Sequence, residues 1–344
     1  MAVNWGVIGA GGIANGRMIP EAFLPEENVN LLGVADVNQK AADETAERWD
    51  VKSYDNVEAL LSDPDIEAVY IPVPPFARAE VTIMAARFGK HVLAEKPLAM
   101  TGAECEQMIK VCRENNVQLG TGFMMRHHSI HMKMKELIDA GAIGKPAGLH
   151  ARYCLWVAEG KGKSWNLDPE IVGGGPLQNQ GSHAIDICNM MLGNIRDVNA
   201  FSDNVTHNYD VPDMETLLVR FENGAHGNLD IWYGVPNWYG RRLLEVFGSE
   251  GILRAEETLG QLPGGTLYYQ KAVDGGQTES VPEEIPVTPQ NTYRAQVREF
   301  SKAIESGEQY SVSGEQGLHV QRVIDAATQS SAQGRTIPVD IAEV

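Results

Sequence analysis

Short apolar runs and helical stretches alternate over the first third of the chain. This alternation is typical of a parallel, doubly wound sheet, because each crossover between parallel strands requires a helix. A capping-box pattern, Thr101 followed by Glu104, predicts the start of one of these helices. The expected strands are 5–8, 30–35, 67–73 and 91–94, and the expected helices are 39–49, 77–88 and about 101–115.

Beyond residue 122, strand-like runs follow one another with turn residues, rather than helices, between them. Such a series favours a mostly antiparallel sheet. A helix over 129–140 is expected before these runs, and two helices near the end, about 292–306 and 315–331, are expected to cover part of the sheet. We therefore predict an α/β protein with a doubly wound parallel sheet in domain 1–122 and an open, mostly antiparallel sheet in domain 123–344. The strand-like runs of the second domain are 148–155, 198–201, 217–221, 227–233, 243–247 and 266–270.

Composition narrows the function classes. The 344 residues suit two domains, and 43% hydrophobic residues can fill their cores. A net charge of −18 repels phosphate backbones, so no nucleic-acid partner is expected. No apolar run reaches the length of a membrane span, and the apolar segment 1–14 lacks the basic start of a signal peptide. The absence of a CxxC pair among the four cysteines favours a reducing, cytoplasmic compartment. The cysteines are Cys105, Cys112, Cys154 and Cys188.

A dinucleotide fingerprint of the form G-x-G-x-x-A follows the first predicted strand. Its members are Gly9, Gly11, Gly12, Ile13 and Ala14. Gly9 permits a tight turn, Gly11 lets the backbone approach a pyrophosphate, and Ala14 lets the helix pack close to the sheet. The alternative is an ordinary glycine-rich turn between a strand and a helix. The strand before the motif and the helix after it favour cofactor binding.

Asp36 ends the second predicted strand, where this fingerprint places an acidic residue. A carboxylate there binds a ribose 2′-hydroxyl and repels a 2′-phosphate. No Arg or Lys follows directly, so the sequence favours NAD over NADP. The alternative for Asp36 is a solvated turn residue.

Lys96 lies in an unusual turn, Glu95-Lys96-Pro97, directly after the strand 91–94. Open α/β sheets bind ligands at the carboxyl ends of their strands. A positively charged nicotinamide ring would disfavour the ammonium form, so that a neutral amine could hydrogen-bond the reacting hydroxyl. The alternative is a surface lysine in a turn. Pro74, Glu95 and Lys96 are also predicted to contact the cofactor.

A helical stretch that follows three glycines, 173–175, carries a polar face. Asn179, His183 and Asp186 are spaced i, i+4 and i+7, which places them on one side of a helix. Histidine is the natural general base near neutral pH. We predict catalytic roles for Asn179 and His183 and contact with substrate. The alternative is a structural histidine bonded to Asp186.

Other candidates carry less of the prediction. Arg126 and Trp165 are assigned to the substrate, although Trp165 could equally belong to a plain loop. His127, His128 and His131 lack a clear further ligand, so no metal is expected.

These motifs together resemble the Gfo/Idh/MocA family of oxidoreductases over essentially the whole chain. The resemblance implies a Rossmann domain joined to an α/β domain whose open sheet commonly forms an oligomer interface. It implies NAD or NADP, and a sugar or polyol substrate. By position, Lys96 supports the reacting hydroxyl and His183 transfers its proton. The motifs are the fingerprint, Glu95-Lys96-Pro97-Leu98, the turn 141–144, the glycines 173–175 with Gly181-x-His183-x-x-Asp186, and 313–317.

Three positions depart from the pattern of many members. Asn179 stands where an Asp is common, four residues before the histidine. The stretch Pro75 to Arg78 replaces an Asn-x-x-His, and Trp165 is followed by Asn166 where Trp-Arg is common. The first departure affects the proton relay, and the other two affect the substrate.

The leading interpretation is a homo-oligomeric NAD-dependent dehydrogenase or reductase that acts on a sugar, glycoside or polyol. A second is glycoside cleavage or elimination assisted by transient oxidation of the sugar. A third is a non-enzymatic, dinucleotide-binding regulator. Lys96 and His183 argue against the third, because a regulator needs neither the amine nor the imidazole at those positions.

Overall fold

The structure, a computed structural model, describes residues 2–158, 167–172, 174–236, 242–276, 278 and 280–342. The chain forms two compact units. The first contains the described residues up to Met124 together with Asn291–Leu318, and the second contains Met125–Gln290 and the described residues from His319 onward. Among the described residues, no helix is long and apolar enough to cross a membrane.

The first unit is built on a parallel sheet, as predicted, and this sheet has six strands. The strand order is β3-β2-β1-β4-β5-β6, and every neighbouring pair is parallel. The capping box of Thr101 and Glu104 is confirmed at the start of Gly102–Glu114. The strands β1 to β6 are Val3–Ile8, Val29–Ala35, Lys52–Ser53, Ala68–Ile71, His91–Ala94 and Leu119–Thr121. The helices are Ala14–Phe23, Gln39–Trp49, Val57–Leu61, Pro75–Arg87, Gly102–Glu114 and Thr292–Ser306.

The helix Thr292–Ser306 belongs to the first unit, although the sequence division placed it in 123–344. Its apolar face packs beside β1. The ring of Trp5 lies 5.5 Å from that of Phe300, centroid to centroid, and its indole nitrogen donates to the Ser301 hydroxyl at 3.2 Å. Trp5 is fully buried. The unit therefore completes its core with a segment that is distant along the chain.

The second unit is built on a nine-stranded sheet with the order β14-β13-β12-β11-β7-β10-β9-β8-β15. Only the central pair of β7 and β10 is parallel among the described strand pairs, which confirms a mostly antiparallel sheet. The strands β7 to β15 are Pro146–Cys154, Ile195–Asp203, Met214–Phe221, His226–Trp232, Leu243–Gly248, Gly251–Glu256, Thr266–Lys271, Glu283–Ile285 and Ile337–Pro338. The other α-helices are Ser129–Asp139, Pro169–Val172, Ser182–Leu192 and Gly314–Gln333.

Among the described residues of the second unit, helices cover one face of this sheet and leave the other face open. Burial alternates along β9, and the helices Ser129–Asp139 and Ser182–Leu192 pack on the sheet. On the opposite face, Phe201 is 68% exposed and Leu218 is 57% exposed. The register of β8 and β9 places these two side chains on the same face.

Candidate active site

The fingerprint turn leaves space for a ligand against the backbone. Gly9 follows β1 with φ of +121°, a conformation that favours glycine, and its N–H donates to the Ala35 carbonyl at 2.8 Å. A Cβ atom built on Gly11 or Gly12 would meet no protein atom within 4 Å. Both glycines are exposed, and a π-helix, Ala14–Phe23, follows with Ala14 buried. The turn therefore fits the close approach of a dinucleotide pyrophosphate.

Asp36 fixes this turn to the end of β2. One carboxylate oxygen accepts the Ala10 N–H at 2.7 Å, and the other accepts the Asn38 N–H at 2.8 Å. Each oxygen keeps further acceptor capacity for a ribose hydroxyl. The carboxylate is thus held in place beside the fingerprint, with its negative charge, by two backbone donors.

Lys96 follows β5 in a turn that is held by Glu95. The buried Glu95 carboxylate accepts the Tyr70 hydroxyl at 2.7 Å and the Lys96 N–H at 3.1 Å, and the Lys96–Pro97 peptide is cis. Burial lowers the pKa of the Lys96 amine to about 8; Glu95 opposes this shift and Arg78 adds to it. The sequence analysis explained the neutral form of the Lys96 amine by the positive charge of the nicotinamide alone. The protein itself provides a second cause, which is desolvation.

Arg78 is a residue whose role the sequence analysis missed. Its guanidinium donates to the carbonyl of Pro97 and, at 2.6 Å, to the carbonyl of Val73. The side chain is buried, and this burial lowers the pKa of Arg78 to about 10. The sequence signal that could have pointed to Arg78 was the departure from the family pattern at residues 75–78.

The predicted cofactor residues of the first unit lie along one edge of its sheet. The fingerprint follows β1, Asp36 follows β2, the exposed Pro74 follows β4, and Lys96 follows β5. These four strands are parallel neighbours, so their carboxyl ends meet at the same edge. Ligands of open α/β sheets bind at such an edge.

In the second unit, a helix carries Asn179 and His183, as predicted, but it begins with a π-helical turn. Leu177–Gly181 is π-helical and Ser182–Leu192 is α-helical. The Asn179 amide donates to the Tyr233 hydroxyl at 2.9 Å, and His183 is buried. Single π-helical turns inside helices are frequent at functional sites.

Glu215 anchors the first turn of this helix and was also missed. One carboxylate oxygen accepts the Leu177 N–H at 2.6 Å, and the other accepts the Ser202 hydroxyl at 2.8 Å. Burial raises the pKa of Glu215 to about 7. A negative charge is favourable at a helix N-terminus, which offsets part of the cost of burying it.

The Asp186 carboxylate, which the sequence offered as a partner for His183, is paired with Arg126. The Arg126 Nε atom donates to both carboxylate oxygens, at 2.8 and 2.9 Å, and Nη2 lies 2.7 Å from Oδ1. Asp186 is fully buried; burial raises its pKa and Arg126 opposes that shift. Arg126, predicted to bind substrate, is therefore held by a carboxylate of the helix that carries His183.

The remaining candidates have structural partners or lie outside the described residues. The two nitrogens of His131 lie 2.9 Å from the Met125 carbonyl and 3.0 Å from the Thr258 hydroxyl. Burial lowers the pKa of His131 to about 3. Across the part of the chain that the structure describes, no group of three or more His, Cys, Asp or Glu side chains could hold a metal ion. Trp165 lies outside the described residues.

Two family models match this chain. Residues 3–123 match a family model described as an oxidoreductase family with an NAD-binding Rossmann fold, and residues 131–254 match the GFO/IDH/MocA C-terminal domain. A 1,5-anhydro-D-fructose reductase from Ensifer adhaerens is 29% identical, with 98% of each chain covered. A D-xylose 1-dehydrogenase (NADP(+)) from Haloferax volcanii is 27% identical over 98% of this chain and 99% of that protein.

A solved structure of levoglucosan dehydrogenase in complex with NADH and L-sorbose is also similar. It is 25% identical, with a TM-score of 0.88, and the match covers 99% of this chain and 100% of that one. The two family models match in order and together span most of the chain. The protein is therefore a member of the Gfo/Idh/MocA family and an NAD(P)-dependent oxidoreductase.

Proposed function

We propose that the protein oxidises or reduces one hydroxyl or keto carbon of a sugar, glycoside or polyol, with NAD as the preferred cofactor. The observation that carries the proposal is the Lys96 amine, whose pKa is lowered to about 8 at the sheet edge that also holds the fingerprint turn. A neutral amine can donate an N–H to the reacting oxygen without adding a second positive charge beside a nicotinamide ring, and the hydroxyl proton is then left for a general base. The names of the relatives support a carbohydrate substrate.

Oxidation of a hydroxyl carbon removes one proton and one hydride. Bound NAD supplies the hydride acceptor. We assign proton removal to His183 and hydrogen bonding of the reacting hydroxyl to Lys96, and the reverse reaction returns the proton to the carbonyl oxygen. Asn179, held by Tyr233, is assigned to orienting the same part of the substrate.

The preference for NAD rests on Asp36. Two backbone N–H groups hold its carboxylate at the end of β2. We expect the 2′-phosphate of NADP to lie near this carboxylate, where the two negative charges would repel each other. One relative is named as an NADP(+) enzyme, so membership of the family does not decide the cofactor. The preference for NAD is therefore proposed from Asp36 of this chain and must be measured on this protein.

The test is a screen of NADH absorbance against a panel of sugars, glycosides and inositols. We expect stoichiometric formation of NADH with at least one member, and severe impairment of the same reaction in His183→Ala. Cleavage of a glycoside without net NADH would instead support transient oxidation. Tight NAD binding with no reaction across the panel would overturn the proposal in favour of a regulator.

A further inference from the structure

The turn that carries Lys96 contacts a second cation that no part of the proposed function uses. The buried guanidinium of Arg78 bridges two backbone carbonyls, one on Pro97 and one on Val73. Val73 belongs to the loop after β4, and Pro97 belongs to the turn after β5. Arg78 therefore connects the loops that follow two neighbouring strands at the cofactor edge of the sheet.

We propose that Arg78 is a positioning residue for Lys96. The Arg78 side chain fixes the Glu95–Pro97 turn, and its positive charge disfavours the ammonium form of the Lys96 amine. This rests on the proposed role of Lys96, although the coupling between the two side chains is a property of the protein alone. Arginine suits the position because its fork reaches two carbonyls at once and remains charged when buried.

The charges around Lys96 in the first unit support the assignment. Glu95 favours the ammonium form, while burial and Arg78 oppose it, and the net pKa lies at about 8. The Glu95 carboxylate is itself engaged by the Tyr70 hydroxyl and the Lys96 N–H. Burial is thus the main cause of the lowered pKa of Lys96, and the fixed cation of Arg78 acts in the same direction, against the neighbouring Glu95 carboxylate.

The experiment is a titration of Lys96 in the cofactor-free protein. Reductive methylation with ¹³C-formaldehyde labels the lysines, and the Lys96 signal is the one absent from Lys96→Arg. We expect wild-type Lys96 to titrate well below the ordinary lysine value, and Arg78→Gln to raise its pKa by about one unit. Turnover of Arg78→Gln near neutral pH should fall on the order of tenfold, in line with the lost neutral amine.

Two variants separate charge from structure. Arg78→Lys should recover part of the low pKa and of the turnover, because an ammonium can also donate to two backbone carbonyls, as Lys90 does to those of Asp63 and Ile66. Arg87→Gln removes a positive charge from an exposed position of the same helix and should change neither.

Two outcomes would overturn the inference. One is wild-type Lys96 titrating at the ordinary lysine value, which decides the matter even if Arg78→Gln does not fold. The other is a folded Arg78→Gln protein in which the Lys96 pKa is unchanged. Neither depends on turnover, so failure of the substrate panel remains a separate result.

Discussion

At the scale of single residues, Lys96 gives the most direct test of the chemistry. We expect Lys96→Ala to lower kcat on the order of 10²- to 10⁴-fold, because a group that acts in the transition state is lost. The Kd for NADH should change only a few fold, since the fingerprint turn is untouched. Steady-state kinetics and NADH fluorescence titration measure the two effects, and near wild-type turnover would remove Lys96 from the mechanism.

The same residue predicts the pH dependence of oxidation. Under the proposed mechanism the neutral amine is the active form, and its pKa is about 8. The ratio kcat/KM should therefore decrease as the pH falls through about 8 and level off above it. Arg78→Gln should move this limb to higher pH, whereas a profile without a limb between pH 7 and 9 would contradict the assignment.

Asp36 gives a second prediction at this scale. Asp36→Asn keeps a carbonyl oxygen that can accept a backbone N–H but removes the negative charge. We expect NADP(H) binding to improve relative to NAD(H) on the order of tenfold, as charge repulsion is relieved. Asp36→Ala, which also releases the Ala10 and Asn38 N–H groups, should weaken both cofactors. Equal or tighter binding of NADP(H) by the wild type would show that Asp36 does not select NAD.

At the scale of elements, the helix that carries His183 is coupled to pH through Glu215. In the folded protein the pKa of this carboxyl is raised from 4.5 to about 7, so the folded state binds the proton more tightly than the unfolded state. The contribution to stability is therefore complete below pH 4.5 and is lost as the pH rises to about 7. It amounts to about 3 kcal/mol at most.

Glu215→Gln should remove this dependence, because the amide is neutral at every pH and can still accept the Leu177 N–H. Urea denaturation between pH 5.5 and 8 measures the free energy of unfolding. We expect it to decline less with pH in Glu215→Gln than in the wild type, while Glu222→Gln, at an exposed position, should follow the wild type. Parallel curves for all three proteins would show that Glu215 has an ordinary pKa when folded.

Element patterns explain what the sequence could predict. The long strands and helices of both sheets were found, because apolar periodicity over many residues is a strong signal. Short strands such as Lys52–Ser53 and Ile337–Pro338 have too few residues to show a period. The π-helical form of Ala14–Phe23 was also missed, although Pro20 inside it lacks the N–H that a regular helix needs.

Candidate site residues could be proposed from the sequence where a distinctive motif directly follows a predicted strand. The fingerprint and Lys96 were proposed in this way. Arg78 and Glu215 were not, because each acts on backbone groups that only the fold brings near: Arg78 on Pro97, and Glu215 on Leu177. Every residue except proline has both a backbone carbonyl and a backbone N–H, so the sequence does not show which of them a side chain will bind.

At the scale of the whole molecule, the open face of the second sheet predicts self-association. Phe201 and Leu218 expose large apolar surfaces on the same face, and a second copy would cover them. We expect a dimer or tetramer in sedimentation velocity, and dissociation in the double variant Phe201→Asp and Leu218→Asp. Val281→Asp, at an exposed position outside the strands, is the control. A stable wild-type monomer at micromolar concentration would exclude the assembly.

The packing of Trp5 against Phe300 also has a consequence for biosynthesis. When residues 1–124 have emerged from the ribosome, the helix Thr292–Ser306, which packs against Trp5, has not yet been synthesised. The core of the parallel sheet therefore stays incomplete during synthesis until Thr292–Ser306 has also emerged from the ribosome. A fragment that ends at residue 124 should aggregate when expressed alone, whereas fusing 291–318 behind it through a flexible linker should restore a soluble, nucleotide-binding module.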